Sequence, residues 1–445
     1  MTTTLDTSPQ LWEELRKDLL STPDLERAAV GFAGITRNGG DTRLLLRDWM
    51  PVCGNEYLVQ LGYHLEISGK VWARAAKRAR QDGEAIVIFH SHPRDGHPSF
   101  SASDDAGERA VIPKIHARAS VPVGAVVVSP VGESGRVSVP GEPTREMRVR
   151  MIGRPAIASE SFAPSERFDR QVRALTSEGQ FAIAALRVGV VGAGGLGSHV
   201  IQQLVHLGIS EIVTIDPDRV ALSNLSRLVG ATRTDALLRR RKTRVSRRLA
   251  RQVGGPTKVT EIRRSVIEGS AANRLLDCDV IIGCTDNQWS RTVLNGIAYQ
   301  YYVPVLDLGV EIQQHGTMGG RVTWLAPGSA CLWCLNILNA ERVRVEQLPK
   351  AGAEAERARG YIEGIDEPAP AVVSINGVIA SLAVTELLAR TTGFAGSDSR
   401  ASLLLYRPKD GTVRRTSPPG ASSCPTCSPT GTLGAGNLAS PPWRA

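Results

Sequence analysis

The chain has 445 residues, of which 42% are hydrophobic and 22% are charged. At roughly 150 residues per domain, this length predicts two or three folded domains, and the composition excludes a largely disordered chain. The start, MTTTLDTSPQ, lacks the basic and then apolar pattern of a secretory signal, and no apolar run of about 18 residues predicts a membrane span. We therefore expect a cytoplasmic protein without a membrane partner.

The net charge of +9 leaves nucleic acid, nucleotide phosphate and an acidic protein open as partners. Much of the excess lies in the arginine-rich segment, residues 239–251. This segment predicts either a solvated helix face or a phosphate-binding surface. A nucleic-acid-binding regulator is therefore one alternative function, although no interspersed aromatic residues or recognised motif support it.

The first 140 residues alternate between predicted helices and strands. Apolar residues at helical spacing predict helices at 9–20 and 68–83, and a third helix that begins near Ser103. Apolar runs predict strands at 28–35, 42–52, 85–92, 123–129 and 136–140. This order predicts a small α/β domain over residues 1–140.

The composition changes twice after that domain. Residues 141–166 are rich in Pro, Ser, Glu and Arg and predict a linker. Over residues 167–428 the runs LRVGVV, EIVTID and DVIIGC alternate with helical patterns, which predicts a Rossmann-like α/β domain with a mostly parallel sheet. Residues 429–445 are rich in Gly, Pro and Ser and predict a disordered tail.

A metal site is predicted at the end of the strand AIVIFHSH. His90 and His92 are two residues apart, so both imidazoles leave the same face of the strand. Asp104 lies near the start of the next helix, where a carboxylate is favoured and can complete a metal triad. Two histidines and one carboxylate leave a fourth position open for water, as in catalytic zinc sites.

The full pattern H-x-H-P-x7-S-x2-D resembles the JAMM (MPN/JAB) metalloproteases, which cleave isopeptide or peptide bonds after ubiquitin-like domains. The resemblance covers about residues 9–140. It implies that His90, His92 and Asp104 hold catalytic Zn²⁺ and that Ser101 stabilises the oxyanion. The family also uses an upstream glutamate as general acid and base, and Glu26 is the best match.

A nucleotide site is predicted at LRVGVVGAGGLGSHV, where a strand is followed by a glycine-rich loop and a helix. Its glycines permit a tight turn and let backbone N–H groups approach phosphates. They are Gly192, Gly194, Gly195 and Gly197. Asp216 follows at the end of the next strand, where it can accept hydrogen bonds from ribose hydroxyls. These features alone fit NAD, FAD or ATP.

Further residues separate these alternatives. Asn224, Arg227 and Lys242 follow the second strand, and together they are suited to phosphate handling. Asp286 ends the strand-like run DVIIGCTD, and a carboxylate there suits Mg²⁺. A dehydrogenase does not need this set.

Together with RFDRQV ahead of the loop, these motifs resemble the ThiF/MoeB-type adenylating family, which includes ubiquitin-activating enzymes. The resemblance implies that Asp216 binds ribose, that Asn224, Arg227 and Lys242 hold the triphosphate of ATP, and that Asp286 holds Mg²⁺. It further implies that Arg170 reaches the phosphates across a homodimer interface. The reaction implied is attack of the C-terminal glycine carboxylate of a ubiquitin-like protein on the α-phosphorus, giving an acyl-adenylate and pyrophosphate.

Two C-x2-C pairs lie 90 residues apart. They consist of Cys331, Cys334, Cys424 and Cys427. Four thiolates make a closed tetrahedral site, so this pattern predicts a structural Zn²⁺. A redox dithiol is the competing interpretation.

No cysteine occurs in residues 350–372, where members of the adenylating family that form a thioester carry one. Cys278 and Cys284 flank an apolar strand and are expected to be buried. The sequence therefore predicts adenylation without a dedicated catalytic cysteine.

The predicted function is processing and ATP-dependent activation of one ubiquitin-like or sulfur-carrier protein with a C-terminal glycine. The activated carrier would pass to a sulfurtransferase in cofactor metabolism, or to an E2-like protein in conjugation, as in bacterial antiphage systems. The sequence leaves both pathways open. A metabolite-adenylating or NAD-dependent enzyme is a further alternative.

Overall fold

The computed structural model of the chain describes residues 3–38, 41–94, 98–153, 166–312, 318–349, 351–352, 354, 356, 370–396 and 401–444. The chain divides into two compact units, each built from more than one segment. Unit 1 comprises Met1–Ile152, Gln300–Tyr302 and Ser423–Pro441, and unit 2 comprises Gly153–Tyr299, Val303–Ser422 and Pro442–Ala445.

Unit 1 is built around a mixed sheet. Its strands are β1 (Thr3–Thr7), β2 (Ala28–Asn38), β3 (Asp41–Pro51), β4 (Tyr57–Gln60), β5 (Leu65–Ile67), β6 (Ala85–Ser91), β7 (Val123–Ser129), β8 (Gly132–Ser138), β9 (Arg145–Glu146) and β10 (Arg148–Met151). Eight strands pair in the order β10-β1-β3-β2-β6-β7-β8-β9, while β4 and β5 form a separate hairpin. The central strand β2 runs antiparallel to β3 and β6.

Three helices flank this sheet, namely α1 (Pro9–Leu19), α2 (Gly69–Asp82) and α3 (Ala102–Ala119). Each begins where a serine side chain accepts a backbone N–H, as Ser8 does from Leu11 at the start of α1. The end of α2 is Gly83, whose φ of 70° suits glycine. The predicted helices and strands of this region are therefore confirmed, with ends that differ by a few residues.

The alternation of side chains along β2 divides the core of unit 1 in two. Ala29 and Ala33 belong to a cluster with buried residues of α1, whereas Val30 and Phe32 belong to a cluster with buried residues of α2 and α3. The sheet is thus covered by α1 on one face and by α2 and α3 on the other.

Later segments of the chain complete unit 1. The guanidinium of Arg43 donates hydrogen bonds to the carbonyls of Tyr301 and Tyr302, and the Tyr302 hydroxyl donates to the carbonyl of Leu46. Arg47 donates to three carbonyls between residues 429 and 433, and Gly436 pairs with Ile35 of β2.

This finding corrects two expectations about chain organisation. Residues 429–444 form hydrogen-bonded turns, so the prediction of a disordered tail differs from the structure. The prediction of disorder rested on amino-acid composition, which carries no information about hydrogen-bond partners elsewhere in the chain, such as Arg47. Part of the predicted linker is strand, since β9 and β10 join the sheet of unit 1, and residues 154–165 lie outside the described residues.

Unit 2 contains a second eight-stranded sheet. Its strands are β11 (Arg187–Val191), β12 (Glu211–Ile215), β13 (Lys258–Ile262), β14 (Val280–Gly283), β15 (Val305–Ile312), β16 (Met318–Leu325), β17 (Leu403–Arg407) and β18 (Thr412–Thr416). Their order is β13-β12-β11-β14-β15-β16-β17-β18. The first five in that order are parallel, as predicted, and the last three add antiparallel pairs.

The helices in the described part of unit 2 are α4 (Asp169–Ala185), α5 (Gly195–Leu207), α6 (Arg233–Leu237), α7 (Lys242–Val253), α8 (Gly269–Ala272), α9 (Gln288–Gln300), α10 (Ala340–Gln347) and α11 (Val373–Thr392). By length and composition α11 could cross a membrane. Its residues Ile379, Ala383 and Leu387, however, are buried in the same apolar cluster as β11, β14 and α5. The apolar character of α11 is therefore that of a core helix.

Candidate functional sites

The predicted metal triad converges in unit 1. His90 and His92 are buried at the end of β6. One ring nitrogen of each histidine and one carboxylate oxygen of Asp104 all lie within 4.8 Å of one another. The Nε2 atom of His90 is 3.1 Å from Oδ1 of Asp104, and Nε2 of His92 is 3.5 Å from Oδ2. Burial opposes ionisation of Asp104, but hydrogen bonds to both histidines outweigh it and hold its pKa well below the usual range. This donor set fits a divalent cation such as zinc.

Sheet register brings Glu26 to this centre. Because Ala28 pairs with His90 across antiparallel strands, residue 26 lies opposite residue 92. Glu26 is 4% exposed, and its Oε1 is 3.7 Å from Nε2 of His92. Burial raises the pKa of Glu26, against the opposing effect of the two histidines. A carboxyl with a raised pKa beside a metal triad is suited to proton transfer.

Ser101 and Asp104 form the start of α3. The Ser101 hydroxyl accepts the backbone N–H of Asp104, and Oδ2 of Asp104 accepts the backbone N–H of Ser101. This reciprocal cap fixes the carboxylate at the helix start, where the helix dipole favours negative charge. The Ser101 hydroxyl retains its own hydrogen for donation.

An apolar groove of about 390 Å³ reaches the triad. Its walls come from the β4–β5 hairpin, α2 and α3, and include Leu58, Trp72 and Val111. His90 and Asp104 also line it. A substrate segment therefore has an apolar approach to the metal centre.

The glycine-rich loop of unit 2 connects β11 to α5. Gly192 has a φ of 94°, and a Cβ on Gly197 would lie 1.8 Å from the carbonyl oxygen of Gly192. A side chain fits at neither position, because the nearest atoms that its Cβ would meet belong to the backbone and cannot move aside. The loop lines a cavity of about 520 Å³ at the carboxyl ends of the parallel strands.

Asp216 organises this loop from the end of β12. Its Oδ2 accepts the N–H of Ala193 and its Oδ1 accepts the N–H of Asp218, both at 2.7 Å. Burial raises the pKa of Asp216, against the attraction of Lys242. Each carboxylate oxygen keeps a second lone pair that can accept a ribose hydroxyl.

Charged side chains surround the same cavity. Arg227 and Lys242 line it, and Nζ of Lys242 is 2.8 Å from Oδ2 of Asp218. Asp286, just beyond β14, lines this cavity and also a second one of about 960 Å³. Two cations and a carboxylate around a glycine-rich loop fit a nucleotide triphosphate and its divalent metal.

The four cysteines of the two C-x2-C pairs form a second group of metal donors, with sulfur atoms within 4.8 Å of one another. Backbone N–H groups of Ala421 and Thr426 donate to the sulfurs of Cys334 and Cys424. Such bonds favour thiolates, so the group fits the predicted structural zinc. Its members are Cys331, Cys334, Cys424 and Cys427.

A model of the ThiF family matches residues 168–427, which is more than half of the chain. The chain belongs to the ThiF family. A model of prokaryotic homologs of the JAB domain matches residues 8–139. The chain therefore joins an N-terminal JAB domain to a C-terminal ThiF domain, as the motifs predicted.

Several characterised proteins are similar to parts of this chain. Molybdopterin-synthase adenylyltransferase from Escherichia coli K12 is 29% identical over 177 residues, which is 39% of this chain and 69% of that protein. Sulfur carrier protein ThiS adenylyltransferase from the same strain is 26% identical over 265 residues, 59% of this chain and 94% of its own length. Among solved structures, E. coli MccB with MccA-N7isoASN has 17% identity and a TM-score of 0.49, covering 61% of this chain and 77% of that one.

Two residues predicted for the ThiF site are not among those that line its cavity. Asn224 ends a short 3₁₀ turn, and its Oδ1 accepts the N–H of Ala221. Arg170 is an exposed residue of α4. Neither side chain lines the cavity within the described part of this single chain. The role of Arg170 across a homodimer interface stays a prediction.

Sequence reasoning missed three residues that line the ThiF cavity, namely Asn287, Arg291 and Asn376. Arg291 donates to the carbonyls of Thr285 and Leu308 and so connects the segment after β14 to the middle of β15. The run D-N-x-x-x-R from Asp286 to Arg291 could have signalled two of them, because residues on the first turn of a helix after a strand face the same cavity.

Four of the eight cations in the arginine-rich segment of the ThiF domain form ion pairs. Arg248 and Arg240 both contact the fully buried carboxylate of Asp235, and Arg247 pairs with Glu261. Hydrogen bonds from Arg248 lower the pKa of Asp235. These partners give half of the segment's charge a structural role, and the alternative of nucleic-acid binding stays a prediction.

Burial disfavours the thiolate form of the two remaining thiols of the ThiF domain. Burial raises the pKa of Cys278 to about 12, and burial likewise raises the pKa of Cys284. Most of residues 350–372, which include no cysteine, lies outside the described residues.

Proposed function

We propose that the ThiF domain adenylates the C-terminal glycine of a ubiquitin-like or sulfur-carrier protein, and that the JAB domain cleaves a peptide or isopeptide bond after the same protein. The observation that carries the adenylation proposal is a single cavity lined by the glycine-rich loop, Arg227, Lys242 and Asp286. The names of two relatives, which are adenylyltransferases for a sulfur carrier and for molybdopterin synthase, support it.

The proposed reaction transfers an adenylyl group. An oxygen of the glycine carboxylate attacks the α-phosphorus of ATP, and the bond from that phosphorus to the bridging oxygen of the β-phosphate breaks. Pyrophosphate leaves with the electron pair, and an acyl-adenylate remains. Backbone N–H groups of the loop, Arg227 and Lys242 stabilise the negative charge that builds up on the phosphates. Asp286 would hold Mg²⁺, which neutralises charge on the departing pyrophosphate.

The second cavity offers a place for the tail of the carrier protein. It shares Asp286, Arg291 and Val310 with the nucleotide cavity. Arg342 and Arg407 also line it and are available to an anionic carboxylate. A tail lying there would bring its terminal carboxylate to the shared wall, next to the α-phosphorus.

In the JAB domain, His90, His92 and Asp104 would hold zinc. Zinc supplies a Lewis acid for the scissile carbonyl and lowers the pKa of bound water toward ~7. Glu26 accepts a proton from the attacking water and returns it to the leaving amine, a role that its raised pKa favours. The Ser101 hydroxyl donates to the oxyanion that forms at the carbonyl. After cleavage exposes the glycine, the carrier becomes a substrate for adenylation.

The test is isotope exchange between ATP and pyrophosphate, combined with intact mass spectrometry of candidate carriers. We expect exchange that needs Mg²⁺ and a carrier ending in glycine. Asp286→Ala should reduce exchange by about 100-fold, because the metal would lose its protein ligand. Glu26→Gln is the matched control, since it should abolish cleavage and leave exchange intact. Exchange without any carrier, or equal exchange by Asp286→Ala, would contradict the proposal.

A further inference from the structure

Residues 442–444 form a strap along one side of the ThiF domain. The backbone of Arg444 pairs with the segment 267–269, donating to the carbonyl of Ile267 and accepting the N–H of Gly269. Its guanidinium lies 4.1 Å from the ring centre of Trp289 in α9 and donates to the carbonyl of Gln347, the last residue of α10. One residue thus connects three separate elements.

Two of those elements also form walls of the nucleotide cavity. Ser265 and Val266, just before the segment that pairs with Arg444, line the cavity. Asn287 and Ser290, on either side of Trp289 in sequence, line it as well. The strap therefore contacts the outer side of the walls whose inner side faces the nucleotide.

Close packing makes the strap a specific fit. A Cβ on Gly269 would lie 2.9 Å from Trp443, and a Cβ on Gly296 of α9 would lie 2.5 Å from Pro442. Glycine at both positions allows the strap to approach as closely as it does. The cation of Arg444 also lies at the carboxyl end of α10, where the helix dipole favours positive charge.

We propose that Trp443 and Arg444 are positioning residues for the nucleotide site. They hold the 265–269 segment and the first turn of α9 at the separation that ATP needs, without touching ATP themselves. Hydrogen bonds weaken steeply when donor and acceptor move apart by a few tenths of an ångström, so small shifts of these two walls reach the bound nucleotide. This inference rests on the proposed binding of ATP in that cavity.

The experiment measures the dissociation constant of Mg-ATP by calorimetry with the full chain and its variants. Arg444→Ala should raise the dissociation constant by ~3-fold, the effect of one partly exposed cation–π contact and one hydrogen bond. Deleting residues 442–445 should raise it by ~10-fold, because the backbone pairing is lost too. Arg444→Lys should recover part of the loss, since it keeps the cation.

Arg264→Ala is the matched control. Arg264 pairs with Glu268 on the same segment and forms no hydrogen bond or ion pair with α9 or α10 in the part of the chain that the structure describes. It should bind Mg-ATP as the parent does. Hydrogen exchange of the deletion variant should increase in 265–269 and 288–291 while the rest of the ThiF domain stays protected, which separates positioning from general unfolding.

The outcomes are distinct. Unchanged affinity in both the alanine and the deletion variant overturns the positioning role. So does an equal loss in Arg264→Ala, which would point to charge on the segment rather than to the strap. Absence of Mg-ATP binding by the parent protein overturns the proposed function instead.

Discussion

Asp6 of the JAB domain provides a quantitative test of the energetics of unit 1. This carboxylate is fully buried and pairs with Arg43 and Arg150 at distances of 2.6 and 2.7 Å. Burial alone would raise the pKa of Asp6, but the two guanidinium groups outweigh it and lower the pKa from 3.8 to about 2. At roughly 1.36 kcal/mol per pKa unit, the ionised form stabilises the fold by about 2.5 kcal/mol.

We expect Asp6→Asn to lower the unfolding free energy of unit 1 by about 2–3 kcal/mol at pH 7, because Arg43 would lose its buried partner. A group whose pKa is lowered by folding stabilises above its unfolded pKa and ceases to do so as the pH falls through its folded pKa. The difference between parent and variant should therefore fall to about half at pH 3 and vanish below pH 2.

The measurement is denaturant-dependent hydrogen exchange of peptides from β1 and β3, since a chain with two units need not unfold in one transition. Glu142→Gln, which removes an exposed ion pair with Arg145, is the control and should cost less than about 1 kcal/mol. The reasoning would be refuted by a loss below that of the control, or by a loss that is the same at pH 7 and pH 3.

Two further predictions concern the metal sites and the thiols. Elemental analysis should find two zinc ions per chain. His92→Ala should remove one of them while the far-ultraviolet circular dichroism spectrum stays unchanged. A single zinc ion in the parent protein would eliminate one of the two sites. No carrier–enzyme adduct that reducing agent releases should appear on a denaturing gel, because burial raises the pKa of Cys284 and disfavours its thiolate. An adduct that disappears in Cys284→Ser would show that this thiol does form a thioester.

Local patterns were enough to predict most elements and the metal triad. The spacing of His90 and His92 places both rings on one strand face whatever the rest of the chain does, and the capping of α3 by Ser101 is a local arrangement. The position of Glu26 required more, since it depends on the register between β2 and β6. A motif could suggest that residue but could not supply its distance from the histidines.

Pairing between side chains and atoms outside their own helix or strand explains what the sequence did not predict. The arginine-rich segment gave no sign that Asp235 lies buried between Arg240 and Arg248. The Gly- and Pro-rich composition of residues 429–441 likewise gave no sign of the carbonyls that Arg47 binds. Asp235 lies outside the arginine-rich segment, and Arg47 lies outside residues 429–441. Neither a single buried carboxylate nor a set of backbone carbonyls leaves a periodic pattern in the sequence.

Unit 1 is built from segments that lie far apart in the chain, and this has a consequence for the order in which the protein folds during synthesis. Its first segment ends at Ile152, but its last segment ends at Pro441, about 290 residues later in translation. At a synthesis rate of roughly 5–20 residues per second, the nascent JAB domain waits about 15–60 seconds for the strands β2 and β3 to receive their final partners. During that interval the ThiF segment emerges from the ribosome. A completed unit 1 therefore exists only on chains whose ThiF segment has already been synthesised.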